Sequence, residues 1–199
     1  MDIKLFDNRI LAPAKCGSRY LSKVYSSKML DDIFSKIYPK QGEDTSVRQM
    51  VIDLANKVEY IIIRNPSEHF KSAIHTEHFN NPNTPISILL EKSILDDGIG
   101  HWWAYTYRFL YRIFEFNPKI RIIELKNLSS FLLSQNHNIE YIPSEYDWSE
   151  MKNWINKDTF YETLSKTYPN EIQIINDKVN KELFYYNKLI EKKLVKTLI

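Results

Sequence analysis

Residues 11–21, LAPAKCGSRYL, decide the fold that we predict for this chain. They begin in a short apolar run, which predicts a buried strand over 9–12 that Pro13 ends. From Ser18 onwards, apolar residues recur at helical spacing. A strand that enters a helix through a Gly-containing turn leaves backbone N–H groups at the positive end of the helix dipole. Such a turn suits an anion, although the same residues also fit an ordinary strand-to-helix connection.

Side chains of this turn supply further groups for an anion. The Lys15 ammonium, the Ser18 hydroxyl and the Arg19 guanidinium are donors suited to phosphate or sulfate oxygens. Cys16 gives a second interpretation, because a thiol at a helix N-terminus is favoured as a thiolate nucleophile. We favour the anion site and keep the cysteine nucleophile as the minor alternative.

The run VEYIIIR at residues 58–64 is the strongest strand signal in the chain. Three adjacent isoleucines suit a strand that is covered on both faces, as in a parallel sheet. Asn65-Pro66 ends this strand and begins a predicted helix over 67–78. Ligands of open α/β sheets bind at the carboxyl ends of the strands, so we expect Lys15 and Arg64 to face one crevice.

Composition sets the class of protein. The chain has 199 residues, 27 basic and 25 acidic side chains, a net charge of +2 and one cysteine. We therefore expect one domain over 1–199, with a helical C-terminal part at about 147–199. The expected fold class is α/β, with a central, mainly parallel sheet flanked by helices. We also expect a cytoplasmic protein with neither a nucleic-acid nor a membrane partner.

Periodicity predicts the remaining elements. Ile3–Phe6 is either an approach arm or a short edge strand. The helix that begins at Ser18 is expected to reach about Ile37, with a break near Ser26-Ser27. Further helices and a strand are predicted at 47–57 (helix), 86–95 (helix), 101–116 (aromatic helix), 120–125 (strand), 129–134 (helix) and within 167–197 (long helix).

Several common sites are excluded by spacing. The chain has no Walker A sequence, no Gly-x-Gly-x-x-Gly and no Gly-x-Ser-x-Gly, so ATPase, dinucleotide and serine-hydrolase interpretations are disfavoured. His75, Glu77 and His78 are spaced closely enough to suggest a metal site. Without a third strong ligand nearby, we favour packing for them.

Two segments resemble motifs of the sulfotransferases that use 3′-phosphoadenosine 5′-phosphosulfate (PAPS). Residues 13–21, PAKCGSRYL, resemble the 5′-phosphosulfate loop, Pro-Lys-x-Gly-[Ser/Thr]-x-x-Leu. Residues 60–72, YIIIRNPSEHFKS, resemble the 3′-phosphate motif, a strand ending in Arg-[Asp/Asn]-Pro with a serine eight residues after the arginine. His101-Trp102 and residues 122–128 are shorter matches to the carbohydrate-type branch and to a late strand. The resemblance spans about 9–128.

The chain departs from the family pattern at three positions. Ala14 is inserted between the proline and the lysine of the loop, and Arg19 stands where many members carry threonine or glycine. His69 stands where many members carry a second arginine. The departures at Ala14 and Arg19 would change how the sulfate is bound, and the one at His69 would remove or weaken a contact with the 3′-phosphate.

The resemblance implies transfer of a sulfuryl group from PAPS to an acceptor hydroxyl or amine by in-line displacement, with PAPS as co-substrate and no metal. It implies a P-loop-like turn and an acceptor such as a glycan or a small molecule. Lys15 would stabilise the leaving 5′-phosphate, and Arg64 and Ser72 would hold the 3′-phosphate. The full set expected to bind the donor is Lys15, Cys16, Gly17, Ser18, Arg19, Tyr20, Arg64 and Ser72.

The general base is left open between a glutamate and a histidine. Glu43 lies in a Gly-Glu-Asp-Thr loop, and His101 follows Gly-Ile-Gly and precedes two tryptophans that suit a sugar-stacking wall or the core. His75 is a third candidate. Two other functions stay open: a non-catalytic protein that binds a nucleotide, an anion or a partner, and a small kinase that uses the same turn for ATP.

Overall fold

The computed structural model describes residues 3–30, 45–96, 98–99, 102–137 and 155–197. Its strands are β1 (Ile3–Phe6), β2 (Ile10–Pro13), β3 (Ser27–Met29), β4 (Tyr60–Ile63), β5 (Gly98–Ile99), β6 (Trp102–Trp103) and β7 (Arg121–Glu124). Its helices are α1 (Ser18–Val24), α2 (Thr45–Lys57), α3 (Pro66–Asn80), α4 (Ile86–Leu95), α5 (Thr106–Phe116), α6 (Leu128–Ser134), α7 (Lys157–Thr167) and α8 (Pro169–Thr197), and a 3-10 turn spans Leu125–Asn127.

The described strands form a five-stranded mixed sheet in the order β3-β1-β2-β4-β7. β2 pairs in parallel with β4, and β4 pairs in parallel with β7, whereas β1 is antiparallel to both β2 and β3. The α/β class is confirmed, but the expected parallel dominance is not. The reason is local: Asp7 and Asn8 adopt φ values of 49° and 54°, which closes a hairpin between β1 and β2.

Alternate residues of each strand face opposite sides of the sheet, and both sides are covered. Ile61 and Ile63 pack with α2 and α5 in one apolar cluster, while Ile62 packs with α1 and α6 in another. All three isoleucines are fully buried. The predicted doubly covered strand is therefore confirmed.

A third apolar cluster is built from helices and the short β5-β6 hairpin. Helices α3, α4 and α7 contribute to it, together with Ile172, Ile175 and Val179 of α8. Leu189, near the other end of α8, belongs to the sheet cluster. The long C-terminal helix therefore covers the core and links the two clusters. No helix in the described part of the chain has the length and apolarity to cross a membrane.

Two segments differ from the predicted elements. The helix that begins at Ser18 ends at Val24, and residues 27–29 form β3. The rest of the predicted helix, residues 31–37, lies outside the described residues. β3 pairs with the outer edge of β1, so β1 is an interior strand. The backbone hydrogen bonds of this pairing, and not the helical spacing of apolar residues, determine the structure of residues 27–29. Trp102 lies in β6 rather than at the start of α5, because it pairs with Ile99 across the hairpin.

Candidate functional site

The carboxyl ends of β2 and β4 bring Lys15 and Arg64 together. The strands pair in parallel with Ile10 opposite Tyr60 and Leu11 opposite Ile61, which sets both chain exits on one sheet edge. Arg64 Nη1 donates a hydrogen bond to the Lys15 carbonyl at 3.2 Å. Arg64 therefore contacts the Lys15 backbone, while the crevice that both side chains were expected to face and their role as ligand-binding groups stay predictions.

The turn after β2 has an unusual backbone. Lys15 has a φ of 59° and Gly17 a φ of 81°, both in the left-handed region. A Cβ on Gly17 would lie 2.3 Å from Leu128 Cδ2 and 3.0 Å from Leu125 Cδ1. Both the conformation and the close packing therefore require glycine here. The segment at 122–128, a short match in the sequence, thus forms the wall against which the turn packs.

Cys16 is fully buried in the turn. Burial raises the pKa of its thiol to about 12, although the nearby Arg64 charge and a hydrogen bond with the Tyr107 side chain oppose the shift. A buried, protonated thiol does not support the nucleophile interpretation. The Cys16 N–H donates to the Pro13 carbonyl at 3.1 Å, so this backbone donor serves the turn rather than a ligand.

Helix α1 begins with the other residues expected to bind the donor. Gly17 is its N-cap, and Ser18, Arg19 and Tyr20 occupy its first turn, where backbone N–H groups have no acceptor within the helix. Ser18 and Tyr20 are half-buried, and the Arg19 side chain lies outside the described part of the chain. These three residues keep the place that the sequence predicted for them.

Helix α3 carries the second segment. The Asn65 side chain caps it by accepting from the backbone N–H of Ser67 at 3.0 Å, and Pro66 occupies its first position. Arg64 therefore precedes the helix directly, and Ser72 follows in its second turn. Ser72 is half-buried, and its carbonyl accepts the Thr76 hydroxyl at 2.8 Å.

An ionic cluster surrounds Glu68 on the first turn of α3. Its carboxylate lies 3.8 Å from Arg64 Nη2 and 3.5 Å from Lys71 Nζ, and it accepts a short hydrogen bond from Lys157. Lys71 Nζ also lies 3.2 Å from Asp158 Oδ1. No motif in the sequence predicted this cluster. The spacing of Glu68 and Lys71 was visible as an i, i+3 pair, but Lys157 and Asp158 arrive from α7 with no motif to mark them.

Tyr107 and Glu182 fix the end of β4. The Tyr107 hydroxyl donates a short hydrogen bond to the Arg64 carbonyl. The Tyr107 backbone N–H donates to the buried Glu182 carboxyl group. Burial raises the pKa of Glu182 to about 8, because its effect outweighs that of the hydrogen bonds from Tyr107 and Arg108. Helix α8 thus caps the N-terminus of α5, which has no cap from its own N-cap side chain.

His69 and Trp102 belong to the core. His69 is fully buried, and its ring centroid lies 6.2 Å from that of Tyr107. The position where the family carries a second arginine is therefore a packing position in this chain. Trp102 is also fully buried, with its ring 4.9 Å from that of Phe70. Of the two alternatives left open for Trp102, the structure shows packing in the core and not an exposed sugar-stacking wall.

Of the three candidate bases, the structure describes His75 alone. Glu43 and His101 lie outside the described residues. His75 is buried, and its Nε2 lies 2.8 Å from the Ile155 carbonyl oxygen. A carbonyl only accepts, so Nε2 carries a proton, and in the neutral form of the ring Nδ1 then keeps its lone pair. Burial lowers the pKa of His75, and the Lys157 and Lys15 charges lower it further. His75 is thus a neutral imidazole within the electrostatic influence of Lys15.

The metal interpretation of His75, Glu77 and His78 gains no support. Where the structure describes the chain, no group of three or more His, Cys, Asp or Glu side chains is arranged to hold a metal ion. His78 stacks on Phe160, with ring centroids 5.0 Å apart and an interplanar angle of 21°. Burial lowers its pKa, so it is a packing residue of the helical cluster.

No protein-family model matches the chain, and no curated protein or solved structure is significantly similar to it. The resemblance to sulfotransferases therefore rests on the two segments quoted above and on where the fold positions them.

Proposed function

We propose that this protein is a PAPS-dependent sulfotransferase. The observation that supports the proposal best is the hydrogen bond between Arg64 and the Lys15 carbonyl, which links the two matched segments at neighbouring strand ends. A donor with a 5′-phosphosulfate and a 3′-phosphate needs cations at two places on one sheet edge. Lys15 and Arg64 provide them in the order that the sequence motifs imply.

In the proposed reaction, the acceptor oxygen or nitrogen attacks the sulfur of PAPS. The bond from sulfur to the bridging oxygen of the 5′-phosphate breaks, and the acceptor proton passes to a base. Negative charge develops on the leaving phosphate oxygen, where the Lys15 ammonium and the first-turn N–H groups of α1 would stabilise it. Arg64 and Ser72 would hold the 3′-phosphate and so reject donors that lack it.

Among the expected bases, His75 is the one whose geometry is described. Its neutral ring, with the Nδ1 lone pair retained, has the protonation state that a general base requires. Glu43 and His101 stay in the proposal as rivals on sequence grounds. The acceptor is proposed to be a glycan or a small molecule, and the proposed location is cytoplasmic, in keeping with the single cysteine.

Isothermal titration with adenosine 3′,5′-bisphosphate tests the proposal. We expect the unmutated protein to bind, and Lys15→Ala and Arg64→Ala each to weaken binding by about tenfold or more, the loss typical of a charged hydrogen bond. Lys28→Ala on β3 and Arg121→Ala at the start of β7 remove matched charges away from this edge and should leave binding unchanged. Failure of the unmutated protein to bind would show that the proposal is wrong.

Activity separates this proposal from a non-catalytic function of the same site. Transfer of sulfuryl groups from PAPS to a panel of sugars and phenols should be lost in Lys15→Ala. Binding of the bisphosphate with no transfer to any acceptor would favour a non-catalytic nucleotide-binding protein.

A further inference from the structure

The ionic cluster around Glu68 contains more cations than carboxylates. Three cations, Arg64, Lys71 and Lys157, converge on the single carboxylate of Glu68. Asp158 contacts Lys71 from the side and is the most exposed member, with 58% of its side chain accessible. Counting these five groups leaves a net charge of +1. The cluster therefore keeps a positive charge even when both of its carboxyl groups are ionised.

Glu68 occupies the centre of the cluster, where three cations overlap. Its side chain is 40% exposed, whereas those of Arg64, Lys71 and Lys157 are 20–26% exposed. The cations are therefore more buried than the carboxylate is, and the carboxylate is the member of these contacts with more access to solvent. The hydrogen bond from Lys157, followed by the charges of Lys157 and Lys71, lowers the pKa of Glu68, so it is ionised at neutral pH.

Arg64 also belongs to the proposed donor site, because it donates to the Lys15 carbonyl. An anion that binds Arg64 thus competes with Glu68 for the same guanidinium. A phosphate monoester carries about two negative charges at neutral pH and three oxygens, and can engage all three cations. A carboxylate carries one charge and is the weaker partner of the two.

We propose that Glu68 is a built-in counter-anion that sets the affinity of this site and selects a doubly charged terminal phosphate over singly charged anions. The nucleotide identity of the ligand rests on the proposed function, whereas the cation cluster does not. The ligand phosphate takes over contacts with Arg64, Lys71 and Lys157, and the Glu68 carboxylate yields them toward solvent. Lys157 then binds the phosphate, which assigns a part in the site to the C-terminal third of the chain.

The test compares Glu68→Gln with the unmutated protein by titration with adenosine 3′,5′-bisphosphate and, separately, with inorganic phosphate. We expect Glu68→Gln to bind both ligands about threefold to tenfold more tightly, because the competing charge is gone while the side-chain shape is kept. Glu59→Gln is the matched control. Glu59 pairs with Arg9 at 3.6 Å at the opposite end of β4, and its loss should not alter binding.

Lys157→Gln provides a second variant that does not depend on the folding of Glu68→Gln. It should weaken binding of both ligands by about threefold or more, with an unchanged thermal transition. A weaker or unchanged affinity in Glu68→Gln, or an unchanged affinity in Lys157→Gln, would overturn the inference.

The two ligands separate the inference from the proposed function. If the unmutated protein binds the bisphosphate but Glu68→Gln gains nothing, the inference is wrong and the proposed function stands. If phosphate binding tightens in Glu68→Gln while the bisphosphate never binds, the inference stands and the proposed function is wrong. Failure of every variant to bind either anion would overturn both.

Discussion

Replacing Gly17 with alanine should destabilise the protein substantially. An alanine at a φ of 81° costs about 1–2 kcal/mol of conformational energy. Its Cβ would lie 2.3 Å from Leu128 Cδ2 and 3.0 Å from Leu125 Cδ1, so the side chains of the 3-10 turn and α6 must shift. Overpacking of a filled core typically costs about 1–3 kcal/mol. We therefore expect Gly17→Ala to lower the free energy of unfolding by about 2–5 kcal/mol.

Urea denaturation followed by circular dichroism measures this change, and a double-mutant cycle identifies its cause. Leu128→Ala removes the atom that the new Cβ would meet, so the double variant should lose less stability than the two single variants together, by about 1–3 kcal/mol. Ser22→Ala, an exposed change in the same helix, should alter stability by about 0.5 kcal/mol or less. A cost below about 0.5 kcal/mol for Gly17→Ala, or strict additivity with Leu128→Ala, would refute the steric reasoning.

Three other predictions concern buried groups. Glu182 has a folded pKa of about 8 against an ordinary value near 4.5. Its contribution to stability is therefore present below about pH 4.5 and is lost as the pH rises to about 8, by at most about 1.4 kcal/mol per pH unit. The free energy of unfolding of Glu182→Gln should lack this slope with pH, and an unchanged slope would contradict the prediction. Cys16 should resist thiol reagents in the folded protein and react only after unfolding, whereas rapid labelling of the native state would contradict its burial. Tyr107→Phe should cost about 1 kcal/mol in urea denaturation by leaving the Arg64 carbonyl without its donor, and a neutral result would exclude that role.

Local signals predicted the parts of the fold that local chemistry controls. The isoleucine run of β4 is buried on both faces, and Asn65-Pro66 begins α3 as the residue types predicted. The parallel pairing of β2 and β4 placed Lys15 and Arg64 at one edge. For β4 and the start of α3, one short stretch of sequence carries the physical reason for the structure, whereas the pairing of β2 with β4 joins two distant stretches.

Long-range pairing decided what the sequence did not predict. A helix was expected to resume after the break at Ser26-Ser27, yet residues 27–29 pair with β1, whose outer backbone N–H and C=O groups they satisfy. Glu182 caps α5 from a helix about 75 residues further along the chain. Lys157 reaches Glu68 across a similar distance in sequence. No periodicity or motif marks such partners, because the contact exists only once the clusters have assembled.

The candidate site also combines residues that short motifs predict with residues that only the packing of distant helices brings together. Lys15, Gly17, Arg64 and Ser72 were recognised from the spacing within two segments. The cations that enclose Glu68 were not, since only the packing of α7 against α3 brings Lys157 to this edge. Cys16 shows the opposite error: its position at a helix N-terminus suggested reactivity, but burial decides its chemistry.

In the proposed donor site, Lys15 and Arg64 form a two-phosphate clamp, in which Lys15 would hold the 5′-phosphosulfate and Arg64 the 3′-phosphate. Its most direct test is the ratio of affinities for adenosine 3′,5′-bisphosphate and adenosine 5′-monophosphate, measured by titration in the unmutated protein, Arg64→Ala and Lys15→Ala. The unmutated protein should prefer the bisphosphate by about tenfold or more, because the 3′-phosphate adds charged hydrogen bonds. Arg64→Ala should sharply reduce this preference while keeping the affinity for the monophosphate, and Lys15→Ala should weaken both ligands equally. Equal affinities for the two nucleotides in the unmutated protein would contradict the clamp.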